Sequence, residues 1–124
     1  MSIAYSLITK VENLMYEEYT SLKMFEDDKE LYIKHSSALE AYSGVFLLIK
    51  EMGLSAHENS LNEEVDITKI CELKEKIQKL IKRESLLMDH FMKDKELHIE
   101  HQSAYNAYKK IIDFIVDGQE HNPI

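Results

Sequence analysis

One cysteine, one proline, three glycines and no tryptophan occur among the 124 residues, and each scarcity removes an option. The lone Cys71 cannot close an intrachain disulfide, so a reducing, cytoplasmic setting is expected and packing must hold the fold. Scarce proline and glycine beside abundant Leu, Ile, Lys and Glu favour long helices over sheet. The longest apolar run, Val45 to Ile49, has five residues and is far too short to span a membrane. The N-terminal MSIAYSLITK has no basic segment ahead of an apolar run, and Glu12 follows closely, so no signal peptide is expected. A formal net charge of −8 argues against a general nucleic-acid binder. Neither a glycine-rich phosphate loop nor a nucleophile elbow is present.

What the chain does contain is a repeat. DDKELYIKHSSALEAY (27–42) returns 66 residues later as KDKELHIEHQSAYNAY (93–108). Between residues 4–51 and 70–117, 16 of 48 paired positions are identical without a gap. A repeat changes the unit being read. Here the unit is a helical hairpin: apolar residues recur by threes and fours along about Ile3–Phe25, Asp28–Met52, Ile70–Met92 and Lys95–Val116. Short turns near Glu26–Lys29 and Met92–Lys95 fold each pair back on itself. Gly53 is suited to end the second helix, and Gly118 to end the fourth, with 119–124 as a tail. The connector, 53–69, has capping-box spacing at Ser55 and Glu58 for a short helix over about 56–63, and Asp66 is placed to cap the third major helix.

Neither hairpin can bury its apolar stripe alone. The expected fold is therefore a single all-α domain over 1–124: an antiparallel four-helix bundle of two repeated hairpins, up-down-up-down if the connector stays at one end. A crossover connection, as in ferritin-like bundles, is the alternative. Ala38, Ala41, Ala104 and Ala107 permit close helix approach.

Four polar residues interrupt the stripes and are matched by the repeat: Glu18, His35, Glu84 and His101. A buried carboxylate is costly unless paired. Three accounts compete: a hydrogen-bonded Glu–His layer that fixes register, a partly exposed flank, or a metal site of two Glu and two His for Zn, Mn or Fe. A di-iron centre lacks its Glu-x-x-His pairs, since Tyr32 and His98 stand three residues before His35 and His101. Cys71 has no nearby histidine and reads as a semi-buried packing residue.

Charge is unevenly placed. Residues 1–66 hold 13 acidic groups against 5 lysines, whereas 67–124 hold 10 of each sign. A basic strip of Lys74, Lys76, Lys79, Lys82 and Arg83 lies on the third helix. Tyr5, Tyr16 and Tyr19 flank the first stripe and have nonaromatic counterparts in the second copy. Either set can serve a homodimer or another protein partner. The reading is thus a cytoplasmic, non-catalytic protein-interaction or regulatory module, with no cofactor, no nucleic acid and no membrane partner. The rival is a metal-binding bundle, sensor or oxidoreductase, using the Glu/His layer.

Overall fold

A computed structural model describes residues 3–54 and 63–121. Four helices account for most of the described residues: α1 (Ile3–Met24), α2 (Lys29–Glu51), α3 (Glu63–His90) and α4 (Lys95–His121). They form an antiparallel four-helix bundle with no sheet among the described residues.

Each hairpin turn is closed by one device, used twice. The Phe25 amide donates to the Ser21 carbonyl at 3.0 Å and the Asp28 amide to the Phe25 carbonyl at 3.1 Å; Phe91 with Leu87 and Asp94 with Phe91 repeat both values. Asp28 then leaves helical geometry (φ −104°, ψ 104°), and its carboxylate accepts from the Leu31 amide. Asp94 does the same for Leu97, each bond measuring 3.2 Å. A carboxylate at this position satisfies an orphan amide of the first turn and faces the positive end of the helix dipole. No glycine or proline is needed, because the aspartate supplies the stop and the start together.

The Lys69 ammonium reaches the Gly53 carbonyl at 3.5 Å, so α2 ends where the early part of α3 runs, and the directions are up-down-up-down. Gly53 has φ 76°, the left-handed region expected of it at a helix end. The short helix expected over 56–63 lies largely outside the described residues. Two boundaries differ from expectation. Helix α3 begins at Glu63 rather than near Ile70, so Asp66 is buried inside the helix and does not cap it. Glu64 and Asp66 in the opening turns complement the N-terminal dipole, a signal that outweighs the capping preference of one aspartate. Helix α4 runs through Gly118 to His121, so Gly118 is not a terminator and 119–121 belong to the helix. A single interior glycine costs about 1 kcal/mol against alanine and does not by itself end a helix.

Across the bundle, α2 and α4 run in the same direction and pack side by side. Lys29 at the start of α2 pairs with Glu96, and Lys95 at the start of α4 pairs with Glu30, both at 2.6 Å. Farther along, Ala38 and Tyr42 share a groove with Ala107 and Lys110. Ser37, Ala41, Ser103 and Ala107 are all buried, and their small side chains allow the approach of α2 and α4. The two hairpins are thus related by a pseudo-twofold axis along the bundle. Val11, Val45, Leu73, Ile77 and Ile111 form its fully enclosed centre. Burying a side chain the size of Leu73 contributes roughly 2–3 kcal/mol.

Candidate functional site

The polar layer consists of two Glu–His dyads, one per hairpin. Glu18 sits near the end of α1 and His35 a turn and a half into α2, facing each other because the helices are antiparallel. The His35 Nδ1 lies 2.6 Å from Glu18 Oε2, and His101 Nδ1 lies 2.7 Å from Glu84 Oε2. Phe25 stacks on the His35 ring at 5.6 Å between centroids and 11° between planes; Phe91 stacks on His101 at 5.6 Å and 13°. The carboxylate fixes the ring's orientation and accepts the Nδ1 proton, while the phenyl face covers the imidazole. Charge-assisted bonds of this length are among the stronger side-chain contacts.

The dyads are not equally enclosed. Glu84 has 6% of its side chain exposed and Glu18 has 18%, while each histidine has 17%. Glu84 also takes a second contact, from Arg83 Nη2 to its Oε1 at 3.2 Å. Above the dyads lie Tyr42 and Tyr108. Burial pushes the Tyr42 hydroxyl up to about 12, and the Glu18 and Glu17 carboxylates add to the effect. Tyr108 is raised by burial and then by Glu84, with Arg83 opposing.

The four polar residues pair within hairpins and do not converge. Among the described residues, no three or more His, Cys, Asp or Glu side chains come together in a way that could hold a metal ion. The two-Glu, two-His sphere for Zn, Mn or Fe is therefore not assembled. Each carboxylate is instead bonded to the histidine of its own hairpin. His98 turns away from His101, with its Nδ1 3.1 Å from the Met88 carbonyl. Cys71 is exposed rather than semi-buried.

The proposed interface residues fall on two outer faces. Tyr16 is 72% and Tyr19 51% exposed, whereas Tyr5 is only half-buried at the flank of α1. The Lys23 ammonium lies 4.7 Å from the Tyr19 ring centroid. On α3, Lys76, Lys79, Lys82 and Arg83 are exposed and Lys74 is half-buried; Arg83 is engaged by Glu84. Sequence reasoning missed the phenylalanine lids, the aspartate caps and the reciprocal ion pairs between α2 and α4. All three carried a signal: Phe25/Phe91, Asp28/Asp94, Lys29/Lys95 and Glu30/Glu96 are identical across the repeat.

No helix among the described residues is long and apolar enough to cross a membrane. Searches of protein-family models, curated proteins and solved structures find no match to this chain.

Proposed function

We propose that this chain is a cytoplasmic, non-catalytic protein-interaction or regulatory module that binds a protein through the solvent face of α1 around Tyr16 and Tyr19. The observation that carries the reading is a contrast between the copies. Tyr16 and Tyr19, three residues apart and so neighbours on one helix face, stand where α3 has Lys82 and Ser85. The shared scaffold gives both faces the same backbone, so it does not require aromatic rings on one of them. Exposed tyrosines are large and rigid, and they are over-represented among residues that dominate binding energy. The exposed Cys71 and the lack of a second cysteine fit a reducing compartment.

A second copy of the chain is one partner this face can take. Sedimentation of wild type and the double variant Y16K/Y19S, which installs residues like those of the second copy, tests the reading. Concentration-dependent association that weakens in the variant, with unchanged melting, supports a homodimer through α1. A homotypic contact between rings is expected to tolerate salt, whereas one through Lys74, Lys76 and Lys79 weakens as salt rises, because exposed charges are screened beyond roughly 8–10 Å near physiological ionic strength. If wild type is monomeric, affinity capture from the native cytoplasm that is equal for wild type and Y16K/Y19S rejects the assignment of the face.

A further inference from the structure

We propose that the groove between α2 and α4 beside His35 is a binding site for a small phosphate-class oxyanion, and that the repeat-equivalent positions around His101 do not form one. The groove holds about 120 Å³, room for an ion of that size, and lies where Glu18 and His35 meet the middle of α4. Its lining divides cleanly when matched against the other copy. The framework is unchanged: Glu18, His35, Ala38, Tyr42, Ser103 and Ala107 correspond to Glu84, His101, Ala104, Tyr108, Ser37 and Ala41.

The three remaining positions all differ, and all in the same electrical sense. Lys34 corresponds to Glu100, Asn106 to Glu40 and Lys110 to Gly44. The changes amount to +2, +1 and +1, so the groove is four charges more positive at these positions than their repeat equivalents around His101. This occurs in a chain whose net charge is −8. Three uncorrelated surface changes on a solvated face have no reason to share a sign.

The donors are also available. Lys34 and Lys110 make no ion pair with any described residue, and Ser103, 7% exposed, has no side-chain hydrogen bond among them. The nearby acids are engaged: Glu18 holds His35, Glu30 pairs with Lys95, and Asp28 caps α2. Two ammonium groups, an amide and a hydroxyl suit a tetrahedral oxyanion, since charge-assisted contacts supply affinity and neutral donors supply orientation.

Isotope-edited NMR of the whole chain tests this at low ionic strength, titrating inorganic phosphate and, separately, phosphoserine, against a chloride control of matched ionic strength. Saturable shifts confined to residues around Lys34, His35, Ser103, Asn106 and Lys110 are expected. A response to phosphate alone identifies the free ion, and a stronger response to phosphoserine identifies a phosphomonoester. Both lysines are exposed, so K34E/K110G keeps the fold, and losing two charge-assisted contacts weakens binding at least about tenfold. Conversely, E40N/G44K/E100K installs the groove's lining at the equivalent positions around His101 and is expected to add a second set of shifts; a side chain at Gly44 meets nothing within 4 Å. Shifts spread over all cationic surfaces, shifts matched by chloride, or binding unaltered in K34E/K110G would each overturn the proposal.

Discussion

Removing Glu84 tests the claim that the dyads are structural contacts whose value depends on enclosure. In Glu84→Ala the His101 Nδ1 loses its acceptor in a site where the glutamate side chain is only 6% exposed, and Arg83 loses a partner. Loss of a charge-assisted hydrogen bond costs about 1.5–3 kcal/mol, and the deleted methylene adds roughly 0.8. The expected destabilisation is therefore about 2.3–3.8 kcal/mol. Glu18→Ala removes the same bond where 18% of the side chain meets water, so solvent replaces part of the contact and about 1–2 kcal/mol is expected. Glu84→Gln keeps an acceptor without the charge and should lose about half as much as the alanine variant. Replacing both partners, as in E84L/H101L, leaves no orphaned donor and should cost less than Glu84→Ala alone. Urea unfolding at neutral pH, with an unchanged denaturant slope, reads all four values. Equal losses at Glu18 and Glu84, or a Glu84–His101 coupling below about 0.5 kcal/mol in a double-mutant cycle, would refute the reasoning.

Stability should fall steeply in alkali. Tyr42 is held neutral up to about 12 in the folded bundle, whereas in the unfolded chain it ionises near its ordinary value of 10.0. The stabilisation is therefore intact below that ordinary value and is lost as pH rises toward about 12, by about 2–3 kcal/mol. Unfolding midpoints of wild type and Tyr42→Phe at about pH 9 and about pH 11 isolate this contribution, since only wild type carries it. Asp28→Ala and Asp94→Ala should each cost about 0.5–2 kcal/mol through the lost cap, and similar values are expected because the two cap bonds are equal in length. Gly53→Ala forces a side chain into φ 76° and should destabilise by about 1–2 kcal/mol, read as a lowered thermal midpoint. The exposed pairs Lys29–Glu96 and Lys95–Glu30 are worth little singly, so K29E should lower the urea midpoint only slightly and K29E/E96K should restore it.

The bundle was legible because the same instructions are written twice. Leu7, Leu14 and Ile49 recur as Leu73, Leu80 and Ile115, and a stripe that cannot be buried in one hairpin demands a second. The dyads were legible as well, since Glu18 and His35 occupy apolar stripe positions in both copies. What the stripes did not reveal is which helices pack closest. Side-by-side packing of α2 with α4 depends on Ser37, Ala41, Ser103 and Ala107, whose small size matters only once two backbones approach. Each glutamate is bonded to its own hairpin's histidine and no four-ligand cluster assembles among the described residues, an outcome that spacing along one helix does not encode. The early start of α3 was misread because Asp66 looks like a cap in isolation. The acids around it favour the helix N-terminus collectively. The charge contrast at the groove needed the structure too, for Lys34 and Lys110 lie on different helices and come together only across the α2–α4 seam.

The assignment of α1 as the recognition face is tested most directly by a photocrosslinking side chain placed at position 16 and, in a separate protein, at position 82. These sites are equivalent in the duplicated scaffold, and both are exposed on the native bundle. Irradiation in the native cell is predicted to give a discrete protein adduct from position 16 that is suppressed by Tyr19→Ser, and none from position 82. Equal adducts from both sites, or none from position 16, would contradict a recognition face on α1.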